Sequence, residues 1–268
     1  GNTELFKSLV ETQSVPLSIA HFNNAVSDRR MEIALYVLEA PGIDMNAALT
    51  TSLGSGLRPL IERCLNKGAS PAPALEYAVR KGDLDLTNLI LSDYNGVATP
   101  VMPIAVGKGN IALVTALLDH DGDATAGLQA AVDSNKVAIA RLLLGRGADP
   151  NKEMGNAARR GYDDLIKAML ENNGAADSGM QGAIEGDKPN TVTLLVNSGA
   201  DPNPAMAYAV DKSYGTLLEL LISKGGDATV SAYVATAAER GDVAILNILL
   251  EKGSASADPG MLPAVTNQ

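Results

Sequence analysis

The sequence predicts an all-α solenoid built from stacked antiparallel helix pairs. Three observations predict it: an internal repeat of about 26 residues, apolar residues at helical spacing within each repeat, and a scarcity of large rings. Of the 268 residues, 46% are hydrophobic but only 3% are aromatic, and Trp is absent. A core made of Ala, Val, Leu, Ile and Met favours closely packed helices over thick layered cores.

A recurring glycine marks the end of each repeat. Successive glycines lie about 26 residues apart along the chain, and a fixed period of this kind is the signature of a repeat array. In such an array each unit buries its apolar face only against its neighbours. Because glycine readily adopts the left-handed conformation just past a helix C-terminus, we expect that conformation at each position. The nine glycines are Gly42, Gly68, Gly96, Gly122, Gly147, Gly174, Gly199, Gly225 and Gly253.

Each repeat contains two segments with helical apolar spacing. In the second segment, exemplified by residues 162–170, apolar residues fall at i, i+1, i+4 and i+5, which forms one stripe of a helix. The first segment is shorter and places Ala at the packing positions, as in residues 154–160 and 206–212. Pro150 and Pro202 disfavour helix at the residue before them and so begin new repeats. The sequence therefore predicts two helices per repeat.

These motifs resemble the ankyrin repeat, and the resemblance covers nearly the whole chain. It is carried by the Gly-Ala-Asp turns at 147–149 and 199–201, by the Gly-Asp breaks ending at Asp83 and Asp242, and by the Leu-rich second helices. Two features depart from the family. The Thr-Pro-Leu-His tetrapeptide is absent, and the period is about 26 residues instead of about 33.

The missing residues fall in one place. From Gly147 to Met154, the first apolar anchor of the next helix, the chain advances by seven positions (154 − 147). The ankyrin pattern needs about twice that distance, because its β-hairpin finger lies there. We therefore expect truncated fingers and helices of full length. A different short-repeat α-solenoid remains an alternative, since it has the same nearest-neighbour energetics.

We expect one domain over residues 1–268. Within it, residues 1–16 form an N-terminal capping helix, 17–256 form nine helix-pair repeats, and 257–268 form a partial repeat or a C-terminal cap. The sequence leaves open whether the array continues beyond Gln268.

Charge and composition disfavour several classes of partner. Lys and Arg number 21 against 31 Asp and Glu, for a net charge of −10, whereas binding to a phosphate backbone usually needs a basic surface. No apolar run is long enough to span a membrane. A single cysteine excludes an intrachain disulfide. We expect a monomer in the reducing cytoplasm or nucleus that binds neither nucleic acid nor membrane.

No residue pattern predicts catalysis, a cofactor or a metal. Cys64 occupies the apolar stripe of its helix, which indicates a buried thiol. His21 and His120 lie at helix ends, where imidazoles act as caps. The glycine pairs at 54–56 and 107–109 follow no predicted strand and lack the Lys-Ser/Thr ending of a phosphate loop. The chain is therefore expected not to be an enzyme.

The resemblance implies that partners bind the outer positions of successive first helices, which would line a concave face. In repeats three to six these positions hold five cations against Asp133 alone, which indicates a basic patch suited to an acidic partner surface. The alternative is a solvated face that keeps the stack soluble. Tyr77 and Tyr208 are expected anchors, because Tyr and Arg are enriched at interface hot spots. The candidate partner-binding residues are Tyr77, Arg80, Lys81, Lys108, Asn156, Arg159, Arg160, Tyr208 and Lys212.

The resulting expectation is a non-enzymatic protein–protein interaction module that binds a partner protein through its concave face. Two narrower alternatives stay open. One is a secreted effector of a pathogen or symbiont that acts in the host cytosol on a signalling protein such as a kinase. The other is the targeting arm of a larger enzyme.

Overall fold

The computed structural model describes residues 3–252. Within them the chain forms 19 α-helices, one short 3-10 helix and no strand. The predicted all-α solenoid of helix pairs is confirmed. The chain divides into two compact units, Gly1–Asp123 and Ala124–Gln268, called the N-terminal and C-terminal units below.

The N-terminal unit contains one leading helix and four helix pairs, repeats one to four. Helix α1 lies against α3, where the Phe6 and Tyr36 rings meet edge to face with centroids 6.2 Å apart. Repeat four opens with the 3-10 helix Thr99–Val101. The helices are α1 (Thr3–Gln13), α2 (Ile19–Ser27), α3 (Met31–Glu39), α4 (Met45–Ser55), α5 (Arg58–Asn66), α6 (Pro71–Lys81), α7 (Leu84–Asp93), α8 (Met102–Lys108) and α9 (Ile111–Asp119).

The C-terminal unit contains repeats five to nine. Each repeat again has a first and a second helix, and in both units like helices of successive repeats pack on one another. The helices are α10 (Ala124–Asp133), α11 (Val137–Gly145), α12 (Asn151–Arg160), α13 (Asp163–Glu171), α14 (Asp177–Glu185), α15 (Pro189–Asn197), α16 (Asn203–Asp211), α17 (Gly215–Ser223), α18 (Ser231–Glu239) and α19 (Val243–Glu251).

The helices span residues 3–251, so the partial repeat or cap expected at 257–268 lies outside the described residues, as does Gly253. The single-domain organisation stays a prediction. None of the helices in residues 3–252 is long and apolar enough to cross a membrane.

Small side chains in the first helices and branched aliphatic ones in the second helices build the core. In repeat three, Ala74 and Ala78 of α6 are fully buried, as is Ile90 of α7. Alanine at the contact lets the helix axes approach closely and adds helix propensity. This packing explains how a core can form with Phe22 as its one buried phenylalanine.

Left-handed residues end both helices of repeats one to eight and the first helix of repeat nine. Gly42, Gly68, Gly147, Gly199 and Gly225 have positive φ after second helices, as expected. The expectation is wrong at three other glycines, where the preceding residue takes the left-handed conformation. Those three residues are Asn95, Asp121 and Asn173, before Gly96, Gly122 and Gly174.

This shift makes the period more regular than the glycines suggested. The left-handed residues after second helices stand at 42, 68, 95, 121, 147, 173, 199 and 225, so every step is equal except that from 68 to 95, which is longer by one. Gly122 and Gly174 are still required, because a Cβ there would lie 2.6 Å from the Leu117 carbonyl oxygen or from the Met154 methyl.

Polar residues start several second helices by capping their free N–H groups. The Asp83 carboxylate accepts from the Leu86 backbone N–H at 2.9 Å, and the Asp242 carboxylate accepts from that of Ile245 at 3.1 Å. A carboxylate at this position also complements the helix dipole. The aspartates that end the Gly-Asp breaks therefore act as N-caps of second helices.

A ladder of side-chain to backbone hydrogen bonds ties together the turns that precede the first helices. A polar side chain near the start of a first helix accepts from a backbone N–H in the equivalent turn of the next repeat. These contacts occupy the place where an ankyrin finger would pair, and they are called the turn ladder below. Its bonds join Asn46 to Ser70, Thr99 to Asp123, Thr125 to Asp149, Asn151 to Ala175, Asp177 to Asp201 and Asn203 to Asp227, at 2.7 to 3.2 Å.

The turn ladder is interrupted between repeats three and four. The corresponding position holds Ala72, whose methyl group accepts no hydrogen bond. The longer step from Gly68 to Asn95 falls in repeat three, where α7 is one residue longer than α5 or α9. In the turn that follows α7, Val97 is 67% exposed.

Candidate functional site

All nine candidate residues occupy three equivalent positions on the first helices. Counted back from the left-handed residue that ends each helix, these are the positions one, two and five residues earlier. The left-handed residues are Gly82, Gly109, Gly161 and Ser213 for repeats three, four, six and eight. The side chains at these three positions are called the first-helix surface below.

The position five residues earlier reaches back to the preceding repeat. The Asn156 amide donates to Asp133 at 3.4 Å and to Glu153 at 3.2 Å. The Tyr208 hydroxyl donates to Asp187 at 2.9 Å. The Tyr77 hydroxyl lies against Gly56, 3.2 Å from where a Cβ would stand. These contacts fix the side chains before any partner binds.

The position one residue earlier also reaches back. Arg160 donates to the Asp133 carboxylate at 2.8 Å and to its backbone carbonyl at 3.1 Å. Lys212 donates to the Asp187 carboxylate at 3.3 Å, and Arg240 donates to the Asp211 carbonyl. In each case a cation meets the C-terminal end of the preceding first helix, where the helix dipole is negative.

In repeat six, the side chain two residues before the left-handed residue contacts the following repeat. Arg159 pairs with Glu185 of repeat seven at 2.9 Å, and Gln181 donates to the same carboxylate at 2.9 Å. The candidate cations Arg159, Arg160 and Lys212 therefore all have carboxylate partners. In repeat six the positive charge of the expected basic patch is therefore largely compensated, while the assignment of these residues to a partner-binding surface stays a prediction.

Tyr208 belongs to a polar cluster around Asp187. Its ring is only 6% exposed and meets the Tyr214 ring edge to face, with centroids 5.6 Å apart. Tyr214 also donates to Asp187, at 3.2 Å. Because the Tyr208 side chain is buried between repeats, it presents little area to a partner. Its role as an anchor stays a prediction.

This cluster shifts two pKa values in opposite directions. The hydroxyl of Tyr208, followed by the ammonium of Lys212, holds the pKa of Asp187 below its ordinary value. Burial, followed by the hydrogen bond to the Asp187 carboxylate, raises the pKa of Tyr208. Asp187 is therefore a charged acceptor at neutral pH, and Tyr208 stays protonated as a donor.

The N-terminal unit contains cations that are less fully compensated. Arg80 pairs with Glu76 on its own helix at 2.8 Å, and Lys81 stands 5.7 Å from the centroid of the Tyr77 ring. Lys108 has neither an ion pair nor a hydrogen bond to any residue in 3–252. In the preceding repeat, repeat three, the positions equivalent to Asp133 and Asp187 hold Arg80 and Gly82. Neither residue carries a carboxylate that could pair with Lys108.

A shallow groove lies beside these cations, between α6 and α8. Its volume is about 360 Å³, and seven of its eight lining residues are apolar. Leu75 and Val101 are buried beneath it. The groove was not anticipated from the sequence, although Pro73, Val97 and Pro100 are an apolar departure from the polar turns elsewhere. The full lining is Ala72, Pro73, Leu75, Glu76, Val97, Pro100, Val101 and Ile104.

The residues considered for chemistry have structural roles. Cys64 is fully buried, and burial raises the pKa of its thiol. His21 caps the start of α2 through Ser18, and His120 lies 2.9 Å from the carbonyl oxygen of Ala116 at the end of α9. Residues 3–252 contain no group of three His, Cys, Asp or Glu side chains arranged to hold a metal ion.

A comparison with protein families matches one segment of the chain. The family model described as ankyrin repeats (3 copies) matches residues 75–154, from the first helix of repeat three to that of repeat six. This segment is therefore similar to ankyrin repeats. The resemblance predicted from the turns is confirmed. On either side of the matched segment, left-handed residues also follow first and second helices. No curated protein matches the chain.

Ankyrin repeats are generally protein–protein interaction modules, and the family is typically non-enzymatic. In this chain the period is about 26 residues where the family has about 33, and the turn ladder occupies the position of the missing fingers. Recognition by finger tips is therefore not available in the described repeats, which leaves the helices and turns.

Proposed function

We propose that the protein is a non-enzymatic interaction module that binds a partner protein through its first-helix surface. The observation that carries this proposal is the pairing of first-helix side chains across repeats, as in Arg160 with Asp133 and Arg159 with Glu185. Ordering of this kind before binding lowers the entropy lost when a partner docks. It also gives a surface of fixed charge pattern, on which specificity depends.

The second-helix surface is the alternative. It also has ion pairs between repeats, such as Arg141 with Glu171, and Glu39 pairs with both Arg63 and Lys67. A groove of about 520 Å³ lies between α15 and α17. We favour the first-helix surface because the resemblance to ankyrin repeats implies recognition there.

Affinity capture from a native lysate tests the proposal when it is quantified across matched double variants. Arg80→Ala/Lys108→Ala and Arg159→Ala/Arg160→Ala each remove two first-helix cations, one pair in each unit. Arg141→Ala/Lys167→Ala removes two second-helix cations of comparable exposure. We expect at least one first-helix double variant to lose a partner that the second-helix variant retains.

All three variants are expected to unfold at nearly the wild-type temperature, because exposed ion pairs contribute about 0–1 kcal/mol each. Loss of binding can then be assigned to the surface. The proposal is wrong if every captured protein is retained by both first-helix variants, or if only the second-helix variant loses it.

A further inference from the structure

The junction of repeats three and four differs from the junctions that follow it in both its contacts and its charge. The turn ladder is missing where Ala72 stands, and α7 is one residue longer than α9. The groove between α6 and α8 opens at this point, with Val97 67% exposed on its rim. Seven of the eight residues that line this groove are apolar, which suits an apolar side chain of a partner.

The groove continues into a basic region along the same two helices. Ile104 lines the groove, and Lys108 follows it by four residues on α8; Glu76 lines it, and Arg80 follows by four residues on α6. Residues four apart lie on one helix face, separated by a rise of about 6 Å. The apolar end and the basic end are therefore about one helical turn apart.

The charges at this basic end are not compensated as they are in the other repeats. Lys108 has no ion pair within residues 3–252. Lys81 is held by the Tyr77 ring, and Arg80 pairs with the Glu76 carboxylate. Three cations against this carboxylate leave a local excess of positive charge on a chain whose net charge is −10.

We propose that this junction binds a protein segment that carries an apolar side chain and, about one helical turn further on, a carboxylate. The apolar side chain enters the groove between Val97 and Ile104, and the carboxylate pairs with Lys108. The inference rests on the proposed function and specifies its partner. A nucleic acid fits less well, because an apolar groove occupies half of the surface and Glu76 lies within it.

A displayed library of random peptides tests the inference with the full chain as bait. Peptides of about 12 residues span the groove when extended. We expect the enriched peptides to share an Asp or Glu near an apolar residue. The tightest peptide is then synthesised with a fluorophore, and its Kd is measured by anisotropy against the wild type and four variants.

Val97→Asp and Lys108→Glu change the two ends of the site. Val243→Asp and Lys224→Glu are their controls: Val243 is an exposed apolar residue of repeat nine, and Lys224 is an exposed lysine just after α17, outside the first-helix surface. We expect the first two variants to weaken binding about tenfold or more. We expect the controls to stay within about twofold, given that neither touches the groove.

A charge exchange separates this inference from a general loss of folding. Replacing the peptide's carboxylate by Lys is expected to abolish binding to the wild type and to restore part of it to Lys108→Glu. The inference is overturned if no peptide is enriched, if enriched peptides lack a carboxylate, or if the charge exchange restores nothing. If a natural partner is lost only by Arg159→Ala/Arg160→Ala, the proposed function stands and this inference fails.

Discussion

Gly182→Ala tests the close packing of first helices in the C-terminal unit. A Cβ at Gly182 of α14 would lie 2.1 Å from the backbone carbonyl oxygen of Gly155 in α12. Four residues on, a Cβ at Gly186 would lie 2.0 Å from the carbonyl oxygen of Arg159. The two helices therefore approach so closely that only hydrogen fits between their backbones.

The magnitude follows from two opposing effects. A comfortable carbon–oxygen contact needs about 3.5 Å, so the helices must separate by more than about 1 Å. Overpacking of this kind costs about 1–3 kcal/mol, and the upper end applies because the obstacle is backbone and not a flexible side chain. Alanine recovers about 1 kcal/mol of helix propensity, so we expect a net loss of about 2 kcal/mol.

Gly145→Ala is the matched control. Gly145 ends α11 and has no atom within 4 Å of where a Cβ would stand, so only the propensity gain of up to about 1 kcal/mol remains. Urea unfolding followed by far-UV circular dichroism measures both variants. Equal stability of Gly182→Ala and Gly145→Ala would refute the close approach of α12 and α14.

Three further predictions concern other parts of the structure. Asn151→Ala removes the acceptor of the Ala175 N–H and of the Ser178 hydroxyl, so it should lower the free energy of unfolding, measured in urea, by about 1 kcal/mol. Asn190→Ala, at an exposed residue outside the turn ladder, should change this free energy little. If both variants lose the same stability, the turn ladder does not contribute to it. Tyr208→Phe removes the main cause of the lowered Asp187 pKa, so the carboxyl titration midpoint measured by NMR should rise towards the ordinary value of an aspartate. The stabilisation from the lowered pKa is present above the unfolded-state pKa and is lost as pH falls through the folded-state pKa, so it should be smaller in this variant. An unchanged midpoint would contradict this. Cys64, fully buried with a raised pKa, should react with a thiol reagent only in denaturant, whereas rapid labelling of the native protein would contradict its burial.

The repeat architecture could be predicted from the sequence because it depends on local signals. Apolar spacing in segments such as 162–170 defines the second helices, and alanine at the packing positions defines the first helices. The short advance from Gly147 to Met154 also located the missing finger, since chain length alone limits what can fit there. These features need no knowledge of long-range contacts.

The exact turn register could not be predicted from the glycines alone. Asn and Asp also adopt the left-handed conformation, and Asn95, Asp121 and Asn173 do so here. The next residue is glycine for a different reason, namely close contact with a backbone carbonyl or a methionine, as at Gly122 and Gly174. The recurring glycines therefore meet two separate requirements: a left-handed conformation at some positions and the absence of a Cβ at others.

The location of the candidate residues on first helices could be predicted from the sequence, but their charge environment could not. Their role in partner binding stays a prediction. Counting cations along the helices identified Arg159 and Arg160, whereas their carboxylate partners, Glu185 and Asp133, come from the following and the preceding repeat. The burial of Tyr208 and the groove at Val97 likewise depend on contacts between repeats. A repeat-by-repeat alignment of the polar residues at 46, 99, 125, 151, 177 and 203 would have indicated the turn ladder.

Hydrogen–deuterium exchange of the full chain, with and without a captured partner or the selected peptide, tests the central claim most directly. If recognition takes place on the first-helix surface, added protection is expected in first helices, above all α6 and α8, and in the turn that contains Val97. Amides of second helices such as α7 and α9 should exchange at unchanged rates. Protection confined to the second helices would contradict the proposed binding surface.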